Sequence, residues 1–370
     1  MSAQDKKIYQ AIKEFAKNQM NSYSKYEFSR ELWQKCCDYG ILSMLTPAKA
    51  GGMAQSYGSI LKVAKYIGEC VEDTGFVFTI NNSLIVSSFL LPKYANEEMI
   101  AEFYPDLFNG KLIACYAITE PDSGSDAFKM QTIYEVKEDC IILNGTKTYI
   151  SNATIADVYA VVAKNENEEY SIFMVRADDE GVSIGKEIEK MGLETCPMGE
   201  LVLCNCKIPK NRVIGRLGQG MQMSNMTLDF ERCCSFSSHL GTMQRVMKEC
   251  ITYVNSRTEF GKNIGSYQLI REKIAKMKIA IELGETLLHK IITMKDAGRN
   301  TYLESAIFKY YIGEEYCKTV IEALQIFGAY GYSKEGEIEH EVRNALASKI
   351  YSGTSEIQID VIARMLGVKG

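Results

Sequence analysis

What most constrains this chain is a change of period along it. Two long blocks carry apolar residues at helical spacing, and the roughly one hundred residues between them alternate instead. In the first block Ile8, Ile12, Phe15 and Ala16 form a stripe within residues 4–20. The same spacing predicts helices over 33–42, 58–70 and 97–108, with breaks at Gly40, at residues 47–52 and at Asn109-Gly110. Residues 112–118 are an apolar run with strand character. Residues 132–136 and 140–143 alternate across Lys137-Glu138-Asp139, which predicts a hairpin, and 159–162, 171–175 and 200–206 predict further strands. Helical periodicity then returns over 221–255, 268–297, 302–327, 337–345 and 355–366, with short glycine-marked connections. The expected fold is therefore α+β and mainly α. It has an N-terminal α-helical domain over 1–112, a small β-barrel-like domain over 113–216 and a C-terminal four-helix bundle over 217–370.

A chain of 370 residues is long enough for two or three cores. A net charge of −5 lacks the basic excess that non-specific nucleic-acid binding needs. The 12 cysteines include no Cys-x-x-Cys, and with 3 histidines they give no metal-ligand spacing, so no metal is expected. His239, His289 and His340 are scattered and read as core or surface residues. Such thiols suit a reducing compartment, and the N-terminus shows no apolar stretch behind a basic start, so the expected location is cytoplasmic. Residues 79–91 are the most membrane-like run, but Asn81, Asn82 and several serines argue against a span.

Two motifs carry the chemistry. The first is Ala117-Ile118-Thr119-Glu120-Pro121-Asp122-Ser123-Gly124-Ser125-Asp126, and the second is Ile350-Tyr351-Ser352-Gly353-Thr354-Ser355-Glu356. Between and around them stand Met44-Leu45-Thr46-Pro47 before Gly51-Gly52, Asn144-Gly145-Thr146-Lys147-Thr148-Tyr149-Ile150-Ser151-Asn152, Arg257-Thr258-Glu259-Phe260-Gly261-Lys262 with Gln268, and Gln325-Ile326-Phe327-Gly328-Ala329-Tyr330-Gly331-Tyr332. Taken alone, Pro-Asp-Ser-Gly is an ordinary β-turn sequence, and Arg257 could be a helix-end cation. Together and in this order, the pieces resemble the acyl-CoA dehydrogenase flavoprotein family over essentially the whole chain.

That resemblance implies FAD, an acyl thioester substrate and α,β-desaturation. It implies flavin contacts at Tyr116, Ile118, Thr119 and Ser125, with Ser125 also near the thioester arm. Tyr149 is implied as the aromatic against one flavin face, and Ser151 as a hydroxyl near N5. Arg257, Phe260 and Gln268, with Gln325, Gly328 and Ala329, are implied to reach the FAD of a neighbouring subunit, so a dimer or tetramer is expected. Thr354 and Glu356 match further flavin contacts. Small residues suit such sites because backbone N–H groups can approach the ligand, and arginine suits a diphosphate because its planar fork donates two parallel hydrogen bonds.

One position departs from the family's pattern. Ser352 stands where members commonly place the glutamate that removes the α-proton, and serine has no carboxylate. Its backbone N–H can still polarise a thioester carbonyl. Leu228-Asp229-Phe230-Glu231-Arg232 resembles the isovaleryl-type subset, which carries its base on a bundle helix, so Glu231 is the expected base. Asp229 and Arg232 match residues near the pantetheine arm. Helices also carry many solvated Glu-Arg pairs that do nothing catalytic.

The leading expectation is an acyl-CoA dehydrogenase-type enzyme passing electrons to an electron-transferring flavoprotein or to oxygen. Alternatives are action on an acyl- or aminoacyl-carrier protein, an enoyl-thioester reductase, or a catalytically silent flavin-binding subunit. No arginine stands out as a dicarboxylate anchor, and chain length and branching are not legible.

Overall fold

The computed structural model describes residues 3–44, 48 and 51–368. Residues 45–47 of the expected first interdomain turn lie outside the described residues.

The N-terminal part is helical because its polar residues sit where helices begin. Ser29, Ser56, Asp73 and Asn96 cap the helices Arg30–Asp38, Tyr57–Cys70, Thr74–Leu84 and Glu97–Phe108, each side chain accepting a backbone N–H three residues on. Arg30–Asp38 begins earlier and ends sooner than its periodicity predicts. Its start is set by the Ser29 cap, and just beyond its end Gly40 turns left-handed at φ 87°.

The apolar run at 79–91 lies within a continuous helical stretch, Thr74–Tyr94, and 94% of its most apolar window is buried inside the protein. Its polar side chains tie the domains together. Asn81 Nδ2 donates to Ser238 Oγ in the bundle at 3.1 Å, and Ser83 Oγ donates to the Ala114 carbonyl in the sheet at 2.9 Å. Thr79 Oγ1 donates to the Thr195 carbonyl at 3.0 Å, while the Thr79 carbonyl accepts from Asn152 Nδ2 at 3.1 Å. This is a core helix with every one of these polar groups satisfied.

The middle part is a mixed sheet. Its strands lie in the order Val182–Glu187, Met198–Pro209, Cys140–Ser151, Ile133–Val136, Val158–Lys164, Tyr170–Arg176, Val213–Ile214, and Ala114–Ala117 pairs parallel with Val158–Lys164. The expected hairpin is present, with Tyr134 opposite Leu143. Its second strand does not stop at 143 but runs on to Ser151, with register shifts after Leu143 and after Lys147.

The C-terminal part contains the helices Gly220–Ser256, Gln268–Asp296, Tyr302–Tyr332, Ile338–Ala347 and Ser355–Met365. The long helix Gly220–Ser256 crosses Tyr57–Cys70 at backbone contact. A Cβ added at Gly68 would lie 1.9 Å from the Ser238 carbonyl oxygen, and one at Gly241 would lie 2.0 Å from that of Lys65. Only glycine allows this crossing.

The 12 cysteines are free thiols, most of them buried. His239 and His340 are buried and His289 is exposed.

Candidate active site

Glu231 stands in the first half of the long helix Gly220–Ser256. Its neighbour Phe230 stacks on Phe89 at 5.0 Å and meets Tyr57 edge-on at 5.5 Å. Glu231 itself is half-buried and keeps part of its surface open. Its Oε1 accepts a hydrogen bond from Ser352 Oγ at 2.6 Å. Burial pushes the Glu231 carboxyl above the ordinary carboxylate range, opposed by the Ser352 hydroxyl and by the charges of Arg232 and Lys309. The two positions singled out for losing and gaining a carboxylate therefore touch, although they lie 121 residues apart.

Ser352 is aimed by its turn. Ser352 and Gly353 are both left-handed, at φ 57° and 85°. The left-handed backbone favours glycine at 353, and a Cβ there would fall 2.6 Å from Gln358 Nε2 and displace it. Arg232 Nε and Gln358 Nε2 each donate to the Ser352 carbonyl at 3.1 Å. Lys309, completely buried, donates to the Lys349 carbonyl at 3.3 Å, and that same oxygen accepts from Ser355 N at 3.0 Å. Tyr351 is hydrogen-bonded to His239 Nε2.

His239 stacks on Tyr316 at 5.0 Å, and burial lowers its pKa from 6.5 to about 4. It is neutral near neutral pH. Because the folded value lies below the unfolded one, the unfolded chain takes up the proton first, and stability falls as pH drops through that window. Urea unfolding should lose about 2 kcal/mol between roughly pH 7 and pH 5 from this residue. His239→Gln should lack that part of the loss, and identical slopes for the two proteins would reject the assignment.

A second group of expected residues gathers at one end of the sheet. Tyr116, Ile118 and Thr119 sit at and just beyond the strand Ala114–Ala117, and the Tyr116 hydroxyl donates to Ser224 Oγ at 2.8 Å. Thr148 N donates to the Thr119 carbonyl at 3.0 Å, joining this segment to the strand that carries Tyr149 and Ser151. Tyr149 has φ 54° and is 60% exposed, at the register shift. A large ring held out of the core beside two hydroxyl residues is a platform for a flat, partly apolar ligand. Ser125 is exposed in the following turn, which is closed by paired backbone bonds between Glu120 and Ser123.

Beneath this turn lies a pair that sequence reasoning missed. Lys147 and Glu120 are buried and 2.8 Å apart. Glu120 also accepts from Thr132 N at 2.9 Å and from Gln131 N, and Lys147 donates to the Ile118 carbonyl at 3.0 Å. The available signal was strand parity: a lysine stands inward on a strand, opposite an acid inside the first motif.

The remaining expected residues do not join these groups. Arg257 pairs with Glu259, and Phe260, at φ 50°, is 93% exposed on the short hairpin Thr258–Glu259/Lys262–Asn263. Gln268, Gln325, Gly328 and Ala329 are also exposed, and the helix kinks at Gly328. Thr354 caps the helix Ser355–Met365, and Glu356 is exposed in its first turn. Asp229 is buried in an ion pair with Lys295 and accepts from Thr301 at 3.2 Å, so its carboxylate is already engaged within the protein.

Family profiles described as acyl-CoA dehydrogenase N-terminal, middle and C-terminal domains match residues 2–111, 115–206 and 218–367. The chain belongs to the acyl-CoA dehydrogenase family. As a member it is an FAD-dependent oxidoreductase acting on CH–CH groups, with that family's fold. It is 30% identical to an L-prolyl-[peptidyl-carrier protein] dehydrogenase of Serratia sp., over 98% of this chain and 96% of that protein. The prolyl acyl carrier protein oxidase AnaB has a TM-score of 0.95 and 33% identity, covering 100% of both chains. PigA with FAD and proline has a TM-score of 0.96 and 29% identity, covering 100% of this chain and 99% of the other.

Proposed function

We propose that this chain desaturates a pantetheine thioester between its α- and β-carbons, with Glu231 as the base in the isovaleryl-type position. The observation that carries the reading is the 2.6 Å bond from Ser352 Oγ to Glu231 Oε1. A carboxylate reaching from the bundle helix arrives at the very residue that stands in the family's usual base position. An open face on an otherwise enclosed carboxylate suits a general base, since substrate displaces the last water and raises its proton affinity further. The Ser352 backbone N–H polarises the thioester carbonyl, and Arg232 holds the Ser352 carbonyl, fixing the peptide that follows it.

FAD, when bound, accepts the β-hydride. Thr119 and Ser125 offer hydroxyls and backbone donors toward it, Tyr149 a flat face, and Ser151 a polar edge, while Tyr116, Ile118, Thr354 and Glu356 border it. Arg257, Phe260, Gln268, Gln325, Gly328 and Ala329 stand in solvent in one chain, which supports their use on a neighbouring copy's cofactor and hence a dimer or larger assembly. Asp229 and Arg232 flank the arm, Asp229 through Lys295. The reducing chemistry of the thiols supports a cytoplasmic location.

Likeness to proteins named for prolyl carrier-protein substrates supports a carrier-borne aminoacyl group, and the family's own name supports acyl-CoA. Anaerobic titration with matched thioesters on carrier protein and on CoA, watched at the oxidised flavin band, separates the two. Bleaching by one arm and not by the free acids is the expected result. Reoxidation by air or by an electron-transferring flavoprotein then identifies the acceptor, and faster reoxidation by an enoyl thioester marks a reductase. Yellow protein that no thioester bleaches would overturn the proposal in favour of a silent subunit.

A further inference from the structure

We propose that the Ser352 side chain is a positioning residue for the base: its hydroxyl anchors Glu231 Oε1 and leaves Oε2 as the oxygen that meets the α-proton. The inference rests on Glu231 being the base, and it assigns a working role to a side chain otherwise noted only for lacking a carboxylate.

The geometry for this is built rather than incidental. A non-glycine residue at φ 57° is uncommon and unfavourable, and persists where the surroundings over-determine it. Here the surroundings do so. The Ser352 carbonyl is held from two sides, by Arg232 Nε on the bundle helix and by Gln358 Nε2 on the following helix, and Gln358 Nε2 also reaches the Gly353 carbonyl at 3.0 Å. Arg232 is the next residue after the base. The same helix turn therefore supplies the carboxylate and fixes the residue that orients it. Ser352 is buried, so its hydroxyl has little competition from water.

A carboxylate on a flexible side chain can present either oxygen. Holding one by a donor selects a rotamer and stabilises the ionised form before substrate arrives, which is the form that can accept a proton. The other titratable and charged groups facing Glu231 are few. Arg232 and Cys234 lie on its own helix, Lys309 on Tyr302–Tyr332, Tyr116 on Ala114–Ala117 and Tyr351 on the turn. Burial pushes the Cys234 thiol up to about 12 and both tyrosines upward, and Lys309 is lowered to about 8. None of these titrates on the acid side of neutrality; His239 does, at about 4, but it is bonded to Tyr351 and not to Glu231, so the acid limb of the proton-abstraction rate is assigned to Glu231.

The test uses FAD-loaded wild-type, Ser352→Ala and Ser352→Gly proteins, with stopped-flow flavin reduction by a saturating thioester across pH. Losing a hydrogen bond to a charged group moves the acid-limb midpoint up by about one pH unit. The expected result is that shift, with about tenfold slower reduction below the midpoint, and with flavin content and thioester dissociation constant changed less than about twofold in both variants. The glycine variant separates the hydroxyl from the backbone, because glycine accepts this φ freely and relieves the strain that alanine keeps. Profiles that superimpose on wild type, or an alanine defect that glycine cures, would overturn the inference. Failure of the base reading itself is distinguishable: Glu231→Gln would then still bleach at the wild-type rate.

Discussion

Glu231→Gln is expected to leave a yellow, folded protein that no thioester can bleach. The substitution keeps shape and removes the charge from a side chain that accepts a hydrogen bond from the Ser352 hydroxyl, so that contact can persist with the amide oxygen accepting. No stability penalty of consequence follows, because burial already disfavours the ionised carboxylate in the folded state. Chemistry is another matter. Positioned general bases contribute about 10²–10⁴-fold. Flavin reduction in single-turnover mixing should fall by about a hundredfold to ten-thousandfold, while thioester affinity and FAD content stay near wild type. On the proposed role the rate in the wild type should rise with pH through a midpoint above the ordinary carboxylate range, since a base acts in its ionised form and burial raises the pKa of Glu231. Residual bleaching within tenfold of wild type in the variant would move the proton acceptor elsewhere.

The second large effect is expected far from any proton transfer. Lys147→Met should destabilise the protein by about 3–5 kcal/mol, because it leaves the Glu120 carboxylate buried without its cation. Burial works against that carboxylate, yet the Lys147 ammonium and the bonds from the 131–132 segment hold it below the ordinary range. A group with a depressed folded pKa stabilises above its unfolded value and loses that contribution as the solution is acidified. The variant should therefore unfold earlier in urea at neutral pH and show less further loss toward acid. It should also bind FAD more weakly, since Lys147 tethers the Ile118 carbonyl and Glu120 closes the turn before Ser125. The double variant Lys147→Met/Glu120→Leu should cost less than Lys147→Met alone, as replacing both partners removes the orphaned charge. Additive losses in the cycle would show that the pair does not act as a unit.

What could be read from the chain without coordinates follows from where the information resides. The three-part order was legible because amphipathic helices such as Tyr57–Cys70 and alternating strands such as Ile133–Val136 write their period into consecutive residues. Thr74–Tyr94 was not, since a rod buried on all sides has no period, and its Asn81, Ser83 and Thr79 look like breakers until tertiary partners are seen. Val182–Glu187 was missed because five of its six residues are exposed and its apolar alternation is only Val182 and Ile184. At the site, the family's pattern marked both Glu231 and Ser352, yet the hydrogen bond between them is a fact about how two distant segments fold together. The Arg232 and Gln358 clamp on the Ser352 carbonyl and the Lys147–Glu120 pair belong to the same class.

The crossing at Gly68 and Gly241 limits how the surroundings of Glu231 can diversify. Two helices whose main chains already touch have no room to slide closer and lose their interlock if they part. The rod that bears Glu231 is thus fixed in position like an axle in its bearing. On the proposed role of Glu231, new acyl shapes would be accommodated by exchanging the side chains around the carboxylate, while the axle itself stays put.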